Sequence, residues 1–208
     1  MLEVIGPRPD GYREIRTVLQ TIDLTDRLEF TPVESTIAVE CDHPSVPTDE
    51  RNLVHRAAVL LREATGTRRG VRIRIQKRIP VAAGLGGGSS NAAVTFLALT
   101  RLWGLSVTEG ELLELGARIG SDVPFFFYGG TALGVGRGEE VYPLPDVDAS
   151  HVLVVVPEVE VSTAWAYSQL TKKTGKSNIP VSCATVFRAS REWDAAGAKL
   201  LGAAGNDL

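Results

Sequence analysis

The chain has 208 residues, 44% of them hydrophobic and 23% charged, which excludes intrinsic disorder and collagen-like sequence and allows a core that needs no staples. Lys and Arg number 22 against 25 Asp and Glu, a net charge of -3, so the positive field that draws a protein to nucleic acid is missing. The two cysteines, Cys41 and Cys183, form no C-x-x-C pair, which argues against a disulfide framework or thiolate zinc site and predicts a reducing, cytoplasmic setting.

In chain order, apolar residues alternate in Thr17 to Ile22, Arg27 to Phe30 and Thr36 to Glu40, with Asp and Pro between them, predicting strands and a sheet-rich opening. From Asn52 the positions Leu53, Val54, Ala57, Ala58, Leu60, Leu61 and Ala64 recur at helical spacing until Gly66. Val71 to Ile79 reads as a strand. The basic residues around it, Arg68, Arg69, Arg72, Arg74, Lys77 and Arg78, read as its solvated face. A second helix is predicted from Ser89 or Ser90 to Gly104. A third follows the capping box of Thr108 and Glu111 and stops at Gly120. Phe125 to Phe127, Thr131 to Val135 and Val152 to Val156 are predicted strands, and Ala164 to Leu170 a short helix. The run Val152 to Val156 is the longest strongly apolar one, far short of the about 18 residues that cross a membrane, and no membrane partner is expected.

The segment PVAAGLGGGSSNAA, Pro80 to Ala93, sets Gly84, Gly86, Gly87 and Gly88 between a predicted strand and a predicted helix. Amides in such a loop are not screened by side chains, and the helix start adds its positive dipole end, so phosphate is the natural ligand. A tight turn with an ordinary serine cap is the alternative. The loop lacks the Lys of a P-loop, and Ser89 stands where a dinucleotide fingerprint has its third glycine. Asp122 lies between a helix end and a run of Pro and Phe, where a carboxylate can be partly desolvated and aimed at a hydroxyl; a turn aspartate is the alternative. His43, His55 and His151 show no ligand spacing, so no metal-ligating residues are predicted.

Pro80-x-x-x-Gly84-Leu85-Gly86 resembles the phosphate-loop motif of the GHMP kinases, small-molecule kinases that include galactokinase, homoserine kinase and mevalonate kinase. The order RPDGY (Arg8 to Tyr12), TIDLTD (Thr21 to Asp26), GLGGGSSNAA and IGSDVPFF (Ile119 to Phe126) is similar to the branch that phosphorylates a hydroxyl of a cytidine diphosphate conjugate in isoprenoid synthesis. The resemblance implies an α/β fold, α+β in two layers. Its amino-terminal ATP-binding domain, residues 1–145, would be like domain 2 of ribosomal protein S5, and residues 146–208 would open a second α/β domain. It further implies ATP and a magnesium ion, with Pro80, Gly84, Leu85, Gly86, Gly87, Gly88, Ser89 and Ser90 at the nucleotide and Asp122 as the base that takes the hydroxyl proton.

For the substrate, the resemblance assigns Tyr12 and Tyr167 to hold the cytosine ring, Arg13 beside it, and Asn52 near the nucleotide. Half-buried packing for the tyrosines and helix capping for Asn52 are the alternatives. Arg13 stands where the family usually has His, and an arginine can donate to the base but not accept from it. No Lys precedes Arg8, where the family carries one that pairs with the catalytic Asp, and Asn206 to Leu208 resembles a mid-sequence segment of the family. The expectation is a kinase shortened at both ends, with an inactive nucleotide-binding fragment as the alternative.

Overall fold

The structure is a computed structural model that describes residues 2–148 and 151–156. Seven strands and four helices follow in the order β1 (Leu2–Pro7), β2 (Arg13–Gln20), β3 (Arg27–Val33), β4 (Ile37–Cys41), α1 (Leu53–Thr65), β5 (Gly70–Gln76), α2 (Gly87–Trp103), α3 (Glu109–Ile119), α4 (Phe125–Tyr128), β6 (Thr131–Val135) and β7 (Glu140–Leu144). One antiparallel sheet has the order β1-β2-β6-β7. A second, β3-β5-β4, pairs β5 antiparallel to β3 and parallel to β4, with α1 as the crossover between the parallel strands. The described residues all fall in a compact unit spanning 1–160; a second unit, 161–208, lies outside them.

Period-two alternation drives β5: Val71, Ile73 and Ile75 are buried while Arg72 and Arg74 face solvent, as the sequence predicts. The inward row meets Val54, Ala57, Ala58 and Leu61 of α1 and Ala92, Ala93, Phe96 and Leu99 of α2, the helices packing as a layer on the sheet. Asn52 caps α1 through its side chain and Gly66 ends it in the left-handed conformation. The Thr108–Glu111 capping box is formed at α3. The α/β, two-layer expectation is met.

Four local expectations are corrected. Phe125–Phe127 is not a strand but most of α4, because Val123 and Pro124 open a turn in which Phe126 and Phe127 donate to their carbonyls. The rings then pack, Phe125 on Phe126 at 5.0 Å and Phe96 on Phe127 at 6.1 Å between centroids, and this tertiary packing overrides the β preference of aromatics. Val152–Val156 is irregular and exposed, because a strand needs a neighbour to bond and none pairs with it among the described residues. Strand β5 ends at Gln76, short of Ile79, because the next three amides turn to carboxylates: Lys77 N to Asp42, and Arg78 N and Ile79 N to Asp26. Helix α2 starts at Gly87, before Ser89, from a left-handed Gly86 with φ 67°. Strand β7 is not among the predicted elements; it carries Pro143, which its place at the edge of the sheet tolerates. The predicted helix Ala164–Leu170 lies outside the described residues.

Candidate active site

The glycine loop runs from Pro80 to Gly86 and delivers the chain into the 17-residue α2. Gly86 has no side chain to cap the helix, so the amides of Gly87, Gly88 and Ser89 at its first turn lack a side-chain acceptor; Ser90 N is the first to bond, to Gly86 O at 2.8 Å. A Cβ at Gly86 would stand 2.8 Å from the Phe126 ring, and its φ is one that side chains avoid, so glycine is required here for two reasons. Ala82, in the same loop, is the one non-glycine residue with positive φ among the described residues, at 56°, a strained conformation of the kind that clusters at ligand sites. Gly84 faces open space. The arrangement fits an anionic phosphate: uncapped amides at a helix start.

One buried carboxylate holds this loop. Asp26, wholly shielded from solvent, accepts from Arg78 N (2.7 Å) and Ile79 N (2.8 Å) on Oδ1, and from Lys77 Nζ (2.9 Å) and Asn91 Nδ2 (2.8 Å) on Oδ2. Burial works to raise its pKa, and these four donors outweigh that and hold the carboxyl below its ordinary range. Lys77 also donates to the Ile79 carbonyl. The prediction that Lys77 belongs to a solvated face is therefore corrected: its side chain is 8% exposed and its charge is neutralised inside the fold. Asp26 thus joins the start of β3, the end of β5, the entry of the glycine loop and the first turns of α2.

Asp122 sits in the turn between α3 and α4, two residues after Gly120. That turn and the start of α4 approach the end of the glycine loop and the first turn of α2 at two points. A Cβ at Gly120 would be 4.0 Å from Ser89 Oγ in the first turn of α2, and the Phe126 ring covers Gly86. Asp122 is exposed, yet the protein atoms around it strip away enough water to raise its carboxyl above the ordinary value. Among the described residues no hydrogen bond or ion pair offsets this, which leaves the carboxylate basic and without an acceptor role inside the fold.

The β6–β7 turn closes the other side. A Cβ at Gly138 would stand 4.0 Å from Asp122 Oδ1 and 3.4 Å from Ile15 of β2, and Ile15 N donates to Gly136 O. Arg137, between those glycines, places its guanidinium carbon 4.8 Å from the centroid of the Tyr12 ring. Tyr12 projects from the turn before β2, where its amide donates to Asp10, and its ring is about half exposed. A chain of neighbouring contacts thus links the glycine loop to the Asp122 turn, that turn to Gly138, and Arg137 beside it to Tyr12.

Other predicted residues stand apart in role. Arg13 begins β2, opposite Pro7 of β1. Asn52 is 7% exposed with both polar ends engaged, Oδ1 by Val54 N and Nδ2 by the Pro47 carbonyl, as the capping alternative requires. Tyr167 lies outside the described residues. Among the described residues no group of three or more His, Cys, Asp or Glu side chains converges on a metal site, and no helix is long and apolar enough to cross a membrane. Sequence reasoning missed the roles of Asp26, Lys77, Asn91 and Arg137. For Lys77 a signal existed, since position 77 continues the odd-numbered inward row of 71, 73 and 75.

Residues 52–130 match the family described as GHMP kinases N terminal domain. Over those residues the chain is a GHMP kinase N-terminal domain. It is 50% identical over 184 residues to a protein of Trichormus variabilis named 4-diphosphocytidyl-2-C-methyl-D-erythritol kinase, across 85% of this chain and 57% of that one. A protein of the same name from Geobacillus kaustophilus is 52% identical over 171 residues, across 81% and 59%. The chain therefore spans little more than half the length of the curated relatives it matches. A crystal structure of 4-(cytidine 5'-diphospho)-2C-methyl-D-erythritol kinase superposes with a TM-score of 0.58 at 44% identity, over 69% of this chain and 50% of that one. The matched family segment contains the glycine loop, Asn91 and Asp122, while Tyr12, Asp26 and Arg137 fall outside it.

Proposed function

We propose that this GHMP kinase domain transfers the terminal phosphoryl group of ATP to a hydroxyl of 4-diphosphocytidyl-2-C-methyl-D-erythritol. The observation that carries this reading is the approach of the Asp122 turn to the uncapped start of α2, which sets a basic carboxylate beside a phosphate cradle. The substrate class rests on the relatives of the same name at about half identity. In this reading residues 1–145 form the nucleotide-binding domain and 146–208 open a second one.

The amides of Gly87, Gly88 and Ser89 hold the nucleotide phosphates, with the Ser89 and Ser90 hydroxyls as further donors. Asp26, through Ile79 and Asn91, fixes both ends of that cradle. The acceptor hydroxyl oxygen forms its bond to the terminal phosphorus, the bond from that phosphorus to the bridging oxygen breaks, and ADP leaves. Asp122 takes the hydroxyl proton, a task suited to a carboxylate whose basicity has been raised by lost water. A magnesium ion, which is held largely by phosphates and water with few protein oxygens, supplies charge neutralisation when bound. Tyr12 offers an aromatic face to the cytosine, with Arg13 at the start of the next strand and Tyr167 as a second ring.

The test is ADP release by this chain with magnesium, ATP and the cytidyl substrate, with phosphorylated product identified by mass and Asp122→Asn as control. Product formed by the parent and lost in the variant is expected. An unchanged rate in the variant would remove Asp122 as the base, and failure of cytidine compounds to compete for binding would remove the substrate.

A further inference from the structure

Arg137 has a geometry that its structural surroundings do not use up. Its main-chain amide and Nε both donate to Glu139, at 2.6 and 2.8 Å, which fixes the side chain from one edge. Its two terminal nitrogens make no hydrogen bond among the described residues. Asp10, the other carboxylate whose charge acts on Arg137, is paired with Arg8. The guanidinium thus keeps an oriented fork of donors, the shape that matches phosphate oxygens in pairs.

Its position follows a chemical order. The Tyr12 ring lies 4.8 Å from the guanidinium carbon of Arg137, and the next residue in the chain, Gly138, is the one that approaches Asp122, a Cβ there standing 4.0 Å from Asp122 Oδ1. A cytidine diphosphate conjugate has the same order: a base, then a diphosphate, then the hydroxyl to be phosphorylated. We propose that Arg137 is a substrate-binding residue whose terminal nitrogens hold the diphosphate of the cytidyl substrate, while its guanidinium face backs the Tyr12 ring and leaves the opposite ring face to the base. This inference rests on the function proposed above and adds a residue that the sequence pattern did not single out.

The test is calorimetric titration of cytidine and of CDP into the parent, Arg137→Met and Arg137→Lys, with a non-hydrolysable ATP analogue saturating the glycine loop. The expected result is that Arg137→Met weakens CDP binding roughly tenfold or more while cytidine changes little, so the preference for CDP over cytidine collapses. Arg137→Lys should restore part of that preference, because it keeps the charge and loses the fork. The preference should also fall with added salt in the parent and not in Arg137→Met. Equal weakening of cytidine and CDP would show that Arg137 only supports the ring and would overturn the proposal, as would no change in either. A parent chain that binds neither compound would overturn the cytidyl reading of the site and this proposal with it, whereas a parent that prefers CDP together with an indifferent Arg137→Met would overturn the proposal alone.

Discussion

Replacing Asp26 by Asn tests whether one buried carboxylate holds the glycine loop in place. Its two oxygens accept four hydrogen bonds, two from the Arg78 and Ile79 amides and two from Lys77 and Asn91. Asparagine has one oxygen, and the NH2 on its other side can only donate. One pair of donors must then face a donor, and each buried group left without an acceptor costs about 1–3 kcal/mol. Lys77 also loses its counter-ion while its side chain stays 8% exposed, and breaking a buried ion pair from one side costs about 3–5 kcal/mol. The two costs overlap where Lys77 is itself an orphaned donor, so the expected loss is about 3–5 kcal/mol in total. Urea unfolding followed by circular dichroism reads this as a lower midpoint at unchanged slope. The double variant Asp26→Asn/Lys77→Met should lose less than the sum of the single changes, because it removes both charges at once. The affinity for ATP should fall alongside, since Ile79 and Asn91 flank the cradle. A single variant within about 1 kcal/mol of the parent, or strict additivity in the double variant, would refute the reasoning.

Three further outcomes follow from the same structure. Asp122→Asn should end turnover with ATP binding nearly unchanged; because lost water raises the folded carboxyl pKa, the parent loses stability as pH climbs from about 4 through the folded value, so the variant's advantage in urea midpoint should grow over that window and then level off. Asp26 has the opposite sign: its folded pKa is depressed, so its contribution is present above about 4 and is lost as pH falls through the folded value, and the gap between parent and Asp26→Asn should close in an acid titration. Gly86→Ala would press a methyl group on the Phe126 ring in a conformation that disfavours side chains, with an expected cost of about 1–3 kcal/mol and weaker ATP binding; a thermal melt and nucleotide titration matching the parent would contradict the close approach.

The elements read correctly from sequence are those whose cause is local. The Asn52 and Thr108 caps, the stops at Gly66 and Gly104, and the alternation of Val71, Ile73 and Ile75 each depend on residues within a few positions of one another. The glycine loop leading into a helix start was legible for the same reason, as a run of small residues followed by helical spacing. Where reading failed, the deciding partner was distant in the chain. The aromatic run at Phe125 became helical through a turn and a ring contact with Phe96, and Val152–Val156 had an apolar strand's composition without a partner strand among the described residues.

By itself the sequence determined that this chain carries a glycine-rich loop between a strand and a helix, and, through its motifs, to which kinases it is related. Only the tertiary structure decided what holds that loop and what lies beside it. Asp26 reaches Lys77 across 51 positions and Asn91 across 65, and Arg137 meets Tyr12 only because β2 and β6 are paired. A buried carboxylate draws its donors from wherever the backbone leaves them unsatisfied, and a sheet brings its side chains together by register, so neither partnership is written in local spacing.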